Sequence, residues 1–306
     1  MNSKAIIECV PNFSEGTDAE KVSRIVAAMQ VPGVSLLDWS LDTAHNRSVV
    51  TIAGPADAVV ESATRGAGKA AELINLTQQN GVHPRIGSAD VIPFIPVSGA
   101  SLADCALLAR QAGLQIWRRY GIPVYFYGAA AARPDRVQLE DVRRGQFEGL
   151  RDAVRKEASR RPDIGGPELH ETAGASAVGA RSFLIAYNIH LKQPDITAAR
   201  AIARDIRASN GGLYGVKALG VLANGRAQVT MNITDCLATP MPKVYARAQE
   251  LAQRHGVELD DSELIGLIPQ AAYDPDAEWI KRIPGFDPAQ KVIERRLERP
   301  LDWIAE

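Results

Sequence analysis

The chain has 306 residues, a length that predicts two domains, and 46% of its residues are hydrophobic, as in ordinary globular proteins. Lys and Arg number 35 and Asp and Glu 36, so the near-zero net charge disfavours a nucleic-acid-binding protein. The N-terminus reaches Glu8 too early for a secretory signal, and no apolar run approaches the roughly 20 residues of a membrane span, so a cytoplasmic protein is expected.

The first half of the chain predicts a strand, a helix, two strands, a helix, a strand, and then an additional helix and strand. Thr17-Asp-Ala-Glu20 is a capping-box pattern for the first helix, and Ser101 caps the third helix, which Gly121 ends. Prolines within 91–97 predict an edge strand or an irregular one. The predicted strands are 5–10, 34–41, 48–54, 91–97 and 122–128.

The second half repeats this order, with a strand over 182–191 and a helix from Ile196 to Ala208. Asn224-Gly225 then predicts a hairpin between strands 216–223 and 226–234, and a helix from Pro240 to His255 and a last strand follow. Both halves therefore read β-α-β-β-α-β. We predict an α+β fold of two tandem ferredoxin-like subdomains, residues 1–178 and 179–306, with an extra helix and strand in the first.

An arginine-rich helical stretch from Val137 to Lys156 and a long loop after Arg161 connect the halves. The loop contains several glycines, which permit a close approach of the backbone to a ligand. A loop of this length is usually functional or disordered, so we expect a ligand-contacting linker, with a plain interdomain linker as the alternative.

The residues that carry chemistry are sparse. Cys9, Cys105 and Cys236 are far apart and lack zinc spacing, so we expect core thiols and no metal. Two glycine patterns do not fit a phosphate-binding loop: Gly66-Ala-Gly68-Lys69 lacks the earlier glycine and lies inside a predicted helix, and the pattern from Gly174 to Gly179 is followed by Ala180-Arg181 in place of Lys-Ser/Thr and precedes a strand. The sequence contains neither HExxH nor GxSxG, so it does not support a zinc protease or a serine hydrolase.

His83 is the histidine whose surroundings best fit catalysis. It lies in GVHPRIGSADVIPFIP, where proline restrains the residue before it and Arg85 follows two places later. The other histidines have ordinary structural explanations. His45 lies in a connection between strands and His170 in the long loop. His190 shares a strand face with Asn188, and His255 ends a helix, where a positive charge suits the helix dipole.

Four separate blocks together resemble the glutamate formiminotransferase (formimidoyltransferase) family, and the resemblance covers nearly the whole chain. The resemblance is to the transferase part of the animal proteins, in which this part is fused to a cyclodeaminase. The blocks are Glu8-Cys-Val-Pro-Asn12-Phe-Ser-Glu-Gly16, His45-Asn-Arg47, Gly81-Val-His-Pro-Arg-Ile-Gly87 with Asp90-Val-Ile-Pro-Phe-Ile-Pro96, and Gly179-Ala-Arg-Ser-Phe-Leu-Ile-Ala-Tyr-Asn188.

The resemblance implies two α/β subdomains with a tetrahydrofolate site between them. It implies transfer of a formimino group from N-formimino-L-glutamate to N5 of tetrahydrofolate in histidine breakdown, often by a homodimer. The family's catalytic histidine falls on His83. Its folate-binding segment falls on the loop around Asp163, Gly165 and Gly166 and on the residues that follow, including Gly174.

This chemistry suits the residues present. One imidazole can take the proton from N5 and supply one to the departing glutamate nitrogen. A carboxylate near the cationic amidine would assist, and Asp42 is the first candidate and Asp38 the second. The animal proteins place an acidic residue closer to Ser40, so the choice stays open.

The substrates carry several carboxylates, which arginine side chains bind bidentately. Arg47, Arg85 and Arg181 belong to the resembling blocks, and a structural ion pair is the alternative for each. Asn12 and Asn188 are candidates for hydrogen bonds to the pterin or the formimino group of a ligand. Asn188 could equally well hydrogen-bond the backbone of a neighbouring strand.

Two other functions fit the same residues. One is formyl transfer involving formylglutamate or 5-formyltetrahydrofolate, and the other is a non-catalytic module that binds folate or another metabolite.

Overall fold

The chain folds into two units that each combine helices with one β-sheet, as a computed structural model describes for residues 5–43, 45–79, 81, 84–223 and 225–304. Unit 1 comprises the described residues through Arg181 together with those from Pro300 onward, and unit 2 runs from Ser182 to Arg299. The predicted α+β class is confirmed, whereas the division into 1–178 and 179–306 stays a prediction.

Unit 1 is built around a mixed sheet in which the strands lie in the order β3, β4, β1 with β2, β5, β7 and β6. Its strands are β1 (Ile6–Cys9), β2 (Asn12–Phe13), β3 (Ser35–Asp42), β4 (Arg47–Gly54), β5 (Ala89–Ser98), β6 (Val124–Gly128) and β7 (Ser176–Ala180). Its helices are α1 (Ala19–Ala28), α2 (Ala56–Leu73), α3 (Leu102–Tyr120), α4 (Leu139–Val142) and α5 (Gln146–Lys156).

The two faces of this sheet are covered by different helices. Apolar residues of α1, α2 and α3 share a core with side chains such as Ile7, Ile52 and Phe94. On the other face, Tyr125 and Tyr127 of β6 pack with Leu150 and Val154 of α5. The capping box of Ser101 with Asp104 and the left-handed Gly121 bound α3, as predicted. All three cysteines lie buried.

One prediction about this sheet is confirmed in one of its two alternatives, and another is wrong. β5 is irregular, since its register shifts against both β1 and β2, but it is not an edge strand, because it pairs with β1 and β2 on one side and with β7 on the other. Pro93, which has no N–H to donate to a neighbouring strand, lies opposite the break between β1 and β2. There the Val10 amide donates to the Pro93 carbonyl (3.3 Å). The connection after Arg161 is also not structureless, since it contains β7, which is parallel to both β5 and β6.

Unit 2 has an antiparallel sheet in the order β11, β8, β10, β9. Its elements are β8 (Ile185–Leu191), α6 (Ile196–Ile206), β9 (Val216–Ala223), β10 (Arg226–Ile233), α7 (Met241–Arg254), β11 (Leu259–Ile265), α8 (Glu278–Lys281), α9 (Pro288–Lys291) and α10 (Ile293–Glu298). Tyr187, Ile189 and Met231 face the helices and form the core of the unit. Residues that alternate with them therefore lie on the opposite face.

Candidate functional site

The turn between β3 and β4 holds the first group of predicted site residues. The His45 amide and its Nδ1 contact the Asp42 carboxylate at 3.0 and 2.6 Å, and Asp42 pairs with Arg47 in the strand register. Gly16 donates to the Asn46 side chain (2.9 Å). A Cβ on Gly16 would lie 2.4 Å from the Asp42 carbonyl, so this block needs glycine to pack against the turn.

Arg85 is only 6% exposed, and its guanidinium binds other residues of the chain. Its Nε donates to the Gln79 side chain (2.6 Å), and its two terminal nitrogens contact the Glu148 carboxylate at 2.8 and 3.2 Å. Burial alone would raise the pKa of Glu148, but the Arg85 hydrogen bond and backbone contacts outweigh it and lower that pKa. The ion-pair alternative therefore describes Arg85 in this structure, and its predicted contact with substrate stays a prediction.

Arg47 and Arg143 are two close guanidinium groups near one buried carboxylate, that of Asp90. Asp90 accepts from the Ile86 amide (2.7 Å) and forms an ion pair with Arg143. Burial, and next the charge of Arg143, lowers the pKa of Arg47, while Asp42 and Asp90 act in the opposite direction. The two guanidinium groups and the carboxylates of Asp90 and Asp42 thus form one charged group.

Arg181 is a third arginine near this charged group. It follows β7, where its amide donates to the Phe94 carbonyl (3.2 Å), and its side chain lies near Tyr127. Burial raises the pKa of Tyr127 to about 12, although Arg181 and Arg143 oppose this. Arg47, Arg143 and Arg181 are named the arginine cluster below.

Asn12 and Asp163 both hold the backbone in place. Asn12 Nδ2 donates to the Val10 carbonyl (2.9 Å) at the break between β1 and β2. Asp163 forms an ion pair with the buried Arg136 (2.5 Å) and accepts from the Phe126 amide (2.8 Å), which fastens the start of the loop to β6.

The loop glycines lie in two places. Gly165 and Gly166 follow Asp163 with positive φ, and Gly166 lines an open groove of about 430 Å³ with Trp117 and His170. Gly174 exchanges backbone hydrogen bonds with His170 (2.9 and 3.0 Å), and a Cβ on Gly174 would lie 2.1 Å from the Ile86 carbonyl. The loop thus contacts the segment just after Arg85 through Gly174.

Asn188 is in unit 2, on the sheet face opposite the helices. Its amide donates to Glu263 (3.1 Å) and accepts from Thr230 (2.6 Å), so it bridges strands β11, β8 and β10. His83 lies outside the described residues.

The structure thus brings together Asp42, Arg47 and Arg181 with three residues that the sequence did not single out. Asp90 belongs to one of the blocks that resemble the family, and Arg143 lies in the arginine-rich helical stretch, so the sequence contained a feature that could have identified each of them. Tyr127, in an apolar strand, had none. In the described part of the chain, no group of three or more His, Cys, Asp or Glu side chains is arranged to hold a metal ion. Among the described helices, none combines the length and apolar character needed to cross a bilayer.

These features define the class of the protein as α+β with two units, the first of which contains a group of three arginines. Residues 6–181 match the model of the formiminotransferase domain, N-terminal subdomain, and residues 186–285 match that of the formiminotransferase domain. The chain therefore belongs to the formiminotransferase family.

Relatives agree with this assignment. The chain is 41% identical to a glutamate formimidoyltransferase of Thermoplasma acidophilum over 96% of its own length and 98% of the relative's. It is 39% identical to one of Streptococcus pyogenes serotype M1, over 95% and 98%. A formimidoyltransferase-cyclodeaminase of Rattus norvegicus is 38% identical over 87% of this chain but 51% of its own length. The predictions of the family and of a transferase enzyme are confirmed.

Proposed function

We propose that this chain transfers the formimino group of N-formimino-L-glutamate to N5 of tetrahydrofolate, giving 5-formiminotetrahydrofolate and L-glutamate. The observation that carries the proposal is its identity of 41% and 39%, over nearly the full length, with two proteins named glutamate formimidoyltransferase. Tetrahydrofolate is a substrate in this reaction rather than a resident cofactor.

The arginine cluster supports an anionic substrate. Formiminoglutamate has two carboxylates, and guanidinium groups bind carboxylates with paired, charge-assisted hydrogen bonds. We assign Arg47 and Arg181 to substrate carboxylates, as the sequence suggested, whereas Arg143 forms an ion pair with the buried Asp90.

His83 is the proposed general acid–base. It takes the proton of N5 as that nitrogen attacks the formimino carbon, which gives a tetrahedral carbon bonded to three nitrogens. It then donates a proton to the glutamate nitrogen as the carbon–nitrogen bond to glutamate breaks. Two described neighbours of His83 are anchored: Gly81 packs against the 45–46 turn, and Arg85 is fixed by Gln79 and Glu148.

Asp42 is the proposed carboxylate for the cationic amidine. It stands on the same turn as Arg47 and contacts His45, whereas Asp38, the second candidate, lies further back along β3 opposite Thr51. The segment of Asp163, Gly165, Gly166 and Gly174 stays the proposed folate-binding loop, and Asn12 and Asn188 stay proposed ligand-binding residues.

The test is incubation of the purified chain with formiminoglutamate and tetrahydrofolate, with the product followed by its ultraviolet absorbance after acid conversion. We expect His83→Ala to lower the rate about 10²–10⁴-fold while folate still binds. His255→Gln, at the end of α7, is the matched control and keeps the wild-type rate. Transfer by His83→Ala at the wild-type rate would refute the mechanism.

Formylglutamate in place of formiminoglutamate tests the alternative of formyl transfer, because the amide lacks the charge of the amidine. Folate binding without transfer from either donor would instead support the non-catalytic module.

We also infer that both units are ferredoxin-like. In unit 2 the strand order β11, β8, β10, β9 is that of a split βαβ fold, and β5, β1 with β2, β4 and β3 follow the same order in unit 1. The predicted homodimer and cytoplasmic location stay predictions.

A further inference from the structure

The sheet of unit 2 has a polar face on the side away from its helices. Glu263, Asn188 and Thr230 are directly opposite one another on β11, β8 and β10. They form one hydrogen-bonded line, in which the Thr230 hydroxyl donates to Asn188 Oδ1 (2.6 Å) and Asn188 Nδ2 donates to a Glu263 oxygen (3.1 Å).

This line fixes a carboxylate that is itself exposed. Asn188 is 8% exposed, and both ends of its amide are used, whereas Glu263 is exposed. Ordering a glutamate side chain costs conformational entropy of up to about 2 kcal/mol, which an ordinary solvated surface residue does not need to lose. Preorganisation of this kind favours binding of a ligand.

The neighbouring carboxylate on the same strand is already engaged. Asp261 accepts from Arg226 (2.6 Å) and contacts His190 Nδ1 (2.8 Å). The Arg226 hydrogen bond is the main reason why the pKa of Asp261 is lowered. Within the described residues, Glu263 receives its one hydrogen bond at Oε2, from Asn188, so Oε1 is available to a ligand.

We propose that Glu263 is a binding residue for a planar N–C–N edge with two parallel N–H donors, and that Asn188 and Thr230 position it. A carboxylate matches such an edge with two hydrogen bonds. This inference deepens the proposed function and rests on it, since both proposed substrates carry the edge: the amidine of formiminoglutamate and the 2-amino-4-oxo ring of the pterin. It also gives Asn188 a positioning role instead of direct ligand contact.

The test compares the wild-type chain with Glu263→Gln, an isosteric change that places an N–H donor against the ligand's donors. Glu258→Gln is the matched control, because Glu258 is an exposed glutamate of the same unit that is hydrogen-bonded to Lys192 (2.6 Å). Binding is measured by calorimetry with two probes, 6-methyltetrahydropterin and N-formimino-L-glutamate, and thermal unfolding checks that each variant is folded.

We expect Glu263→Gln to weaken one probe roughly 10- to 100-fold and to leave the other unchanged, while Glu258→Gln binds both as the wild type does. The weakened probe identifies whether the pterin or the amidine is the source of the edge. Thr230→Val should weaken the same probe a few-fold and Thr230→Ser should restore it, which a purely structural cross-strand pair would not do.

Binding of both probes by Glu263→Gln within twofold of the wild type overturns the inference. So does failure of the wild type to bind either probe. A wild-type chain that transfers no formimino group refutes the proposed function instead, and the inference then survives only if Glu263→Gln still weakens one probe.

Discussion

Removal of the Arg85 side chain tests whether this residue anchors the catalytic segment or binds substrate. We expect Arg85→Met to lower the free energy of unfolding by about 2–4 kcal/mol, because a 6%-exposed guanidinium loses hydrogen bonds to Gln79 and Glu148. Glu148→Gln should cost only about 1 kcal/mol, since the Glu148 side chain is 60% exposed and rehydrates.

The kinetic effect follows from what Arg85 holds. Gln79, which accepts from Arg85, also donates to the Asn46 carbonyl (3.2 Å), so the anchor joins this segment to the turn that carries Asp42. Loosening a catalytic group by about 1 Å can cost about 10²-fold in rate. We therefore expect Arg85→Met to lower kcat about 10- to 100-fold with a small change in the KM for formiminoglutamate, and Glu148→Gln to show a weaker effect of the same kind.

Urea unfolding and steady-state transfer assays measure both quantities, and the double variant gives the coupling between the two residues. Arg65→Met is the control, because Arg65 forms an exposed ion pair with Glu61 on α2 (2.7 Å). The reasoning is wrong if Arg85→Met raises KM more than tenfold at unchanged kcat while Glu148→Gln changes neither constant.

Two further predictions concern buried charges. Asp163→Asn should lower the free energy of unfolding, measured with urea, by about 3–5 kcal/mol, because it leaves the buried Arg136 without its ion pair. Adding Arg136→Met should recover part of this loss. A loss of less than about 1 kcal/mol for Asp163→Asn would contradict the prediction. Burial alone would raise the pKa of Glu15, but hydrogen bonds from Thr17 and Asp18 lower it, so Glu15→Gln should destabilise the chain by about 1–2 kcal/mol at pH 7. Since the folded-state pKa lies below the unfolded-state value, this difference should be full above about pH 4.5 and disappear as the pH falls through the lower folded-state pKa, which unfolding curves across pH 3–7 measure.

Local signals predicted most elements because they act within a few residues. The Ser101 capping box and the apolar period of α3 are examples, since neither depends on distant parts of the chain. β7 had no such signal. It consists of Ser-Ala-Val-Gly-Ala, every residue of which is buried, and a strand buried on both faces lacks the alternation that marks a half-exposed strand.

The candidate site was predictable in residue type but not in partners. Asp42 and Arg47 are close in sequence, so their shared turn could be read from the strand pattern. Arg85 binds Glu148, which is 63 residues away, and Asp90 binds Arg143, which is 53 residues away. Both pairs depend on how α4 and α5 pack. Without tertiary structure, an arginine that binds a ligand and one that binds the chain look alike.

The surroundings of Arg85 and of Arg47 lead to different predictions for the two residues. A guanidinium whose nitrogens already face a carboxylate and neutral acceptors, as in Arg85, gains little from a further anion and mainly fixes geometry. Burial, and next the charge of Arg143, lowers the pKa of Arg47, and a bound anion would favour its charged form. We therefore expect substitution of Arg47 to raise KM and substitution of the Arg85 anchor to lower kcat, because Arg47 is assigned to a substrate carboxylate and Arg85 is bound to Gln79 and Glu148 of the chain itself.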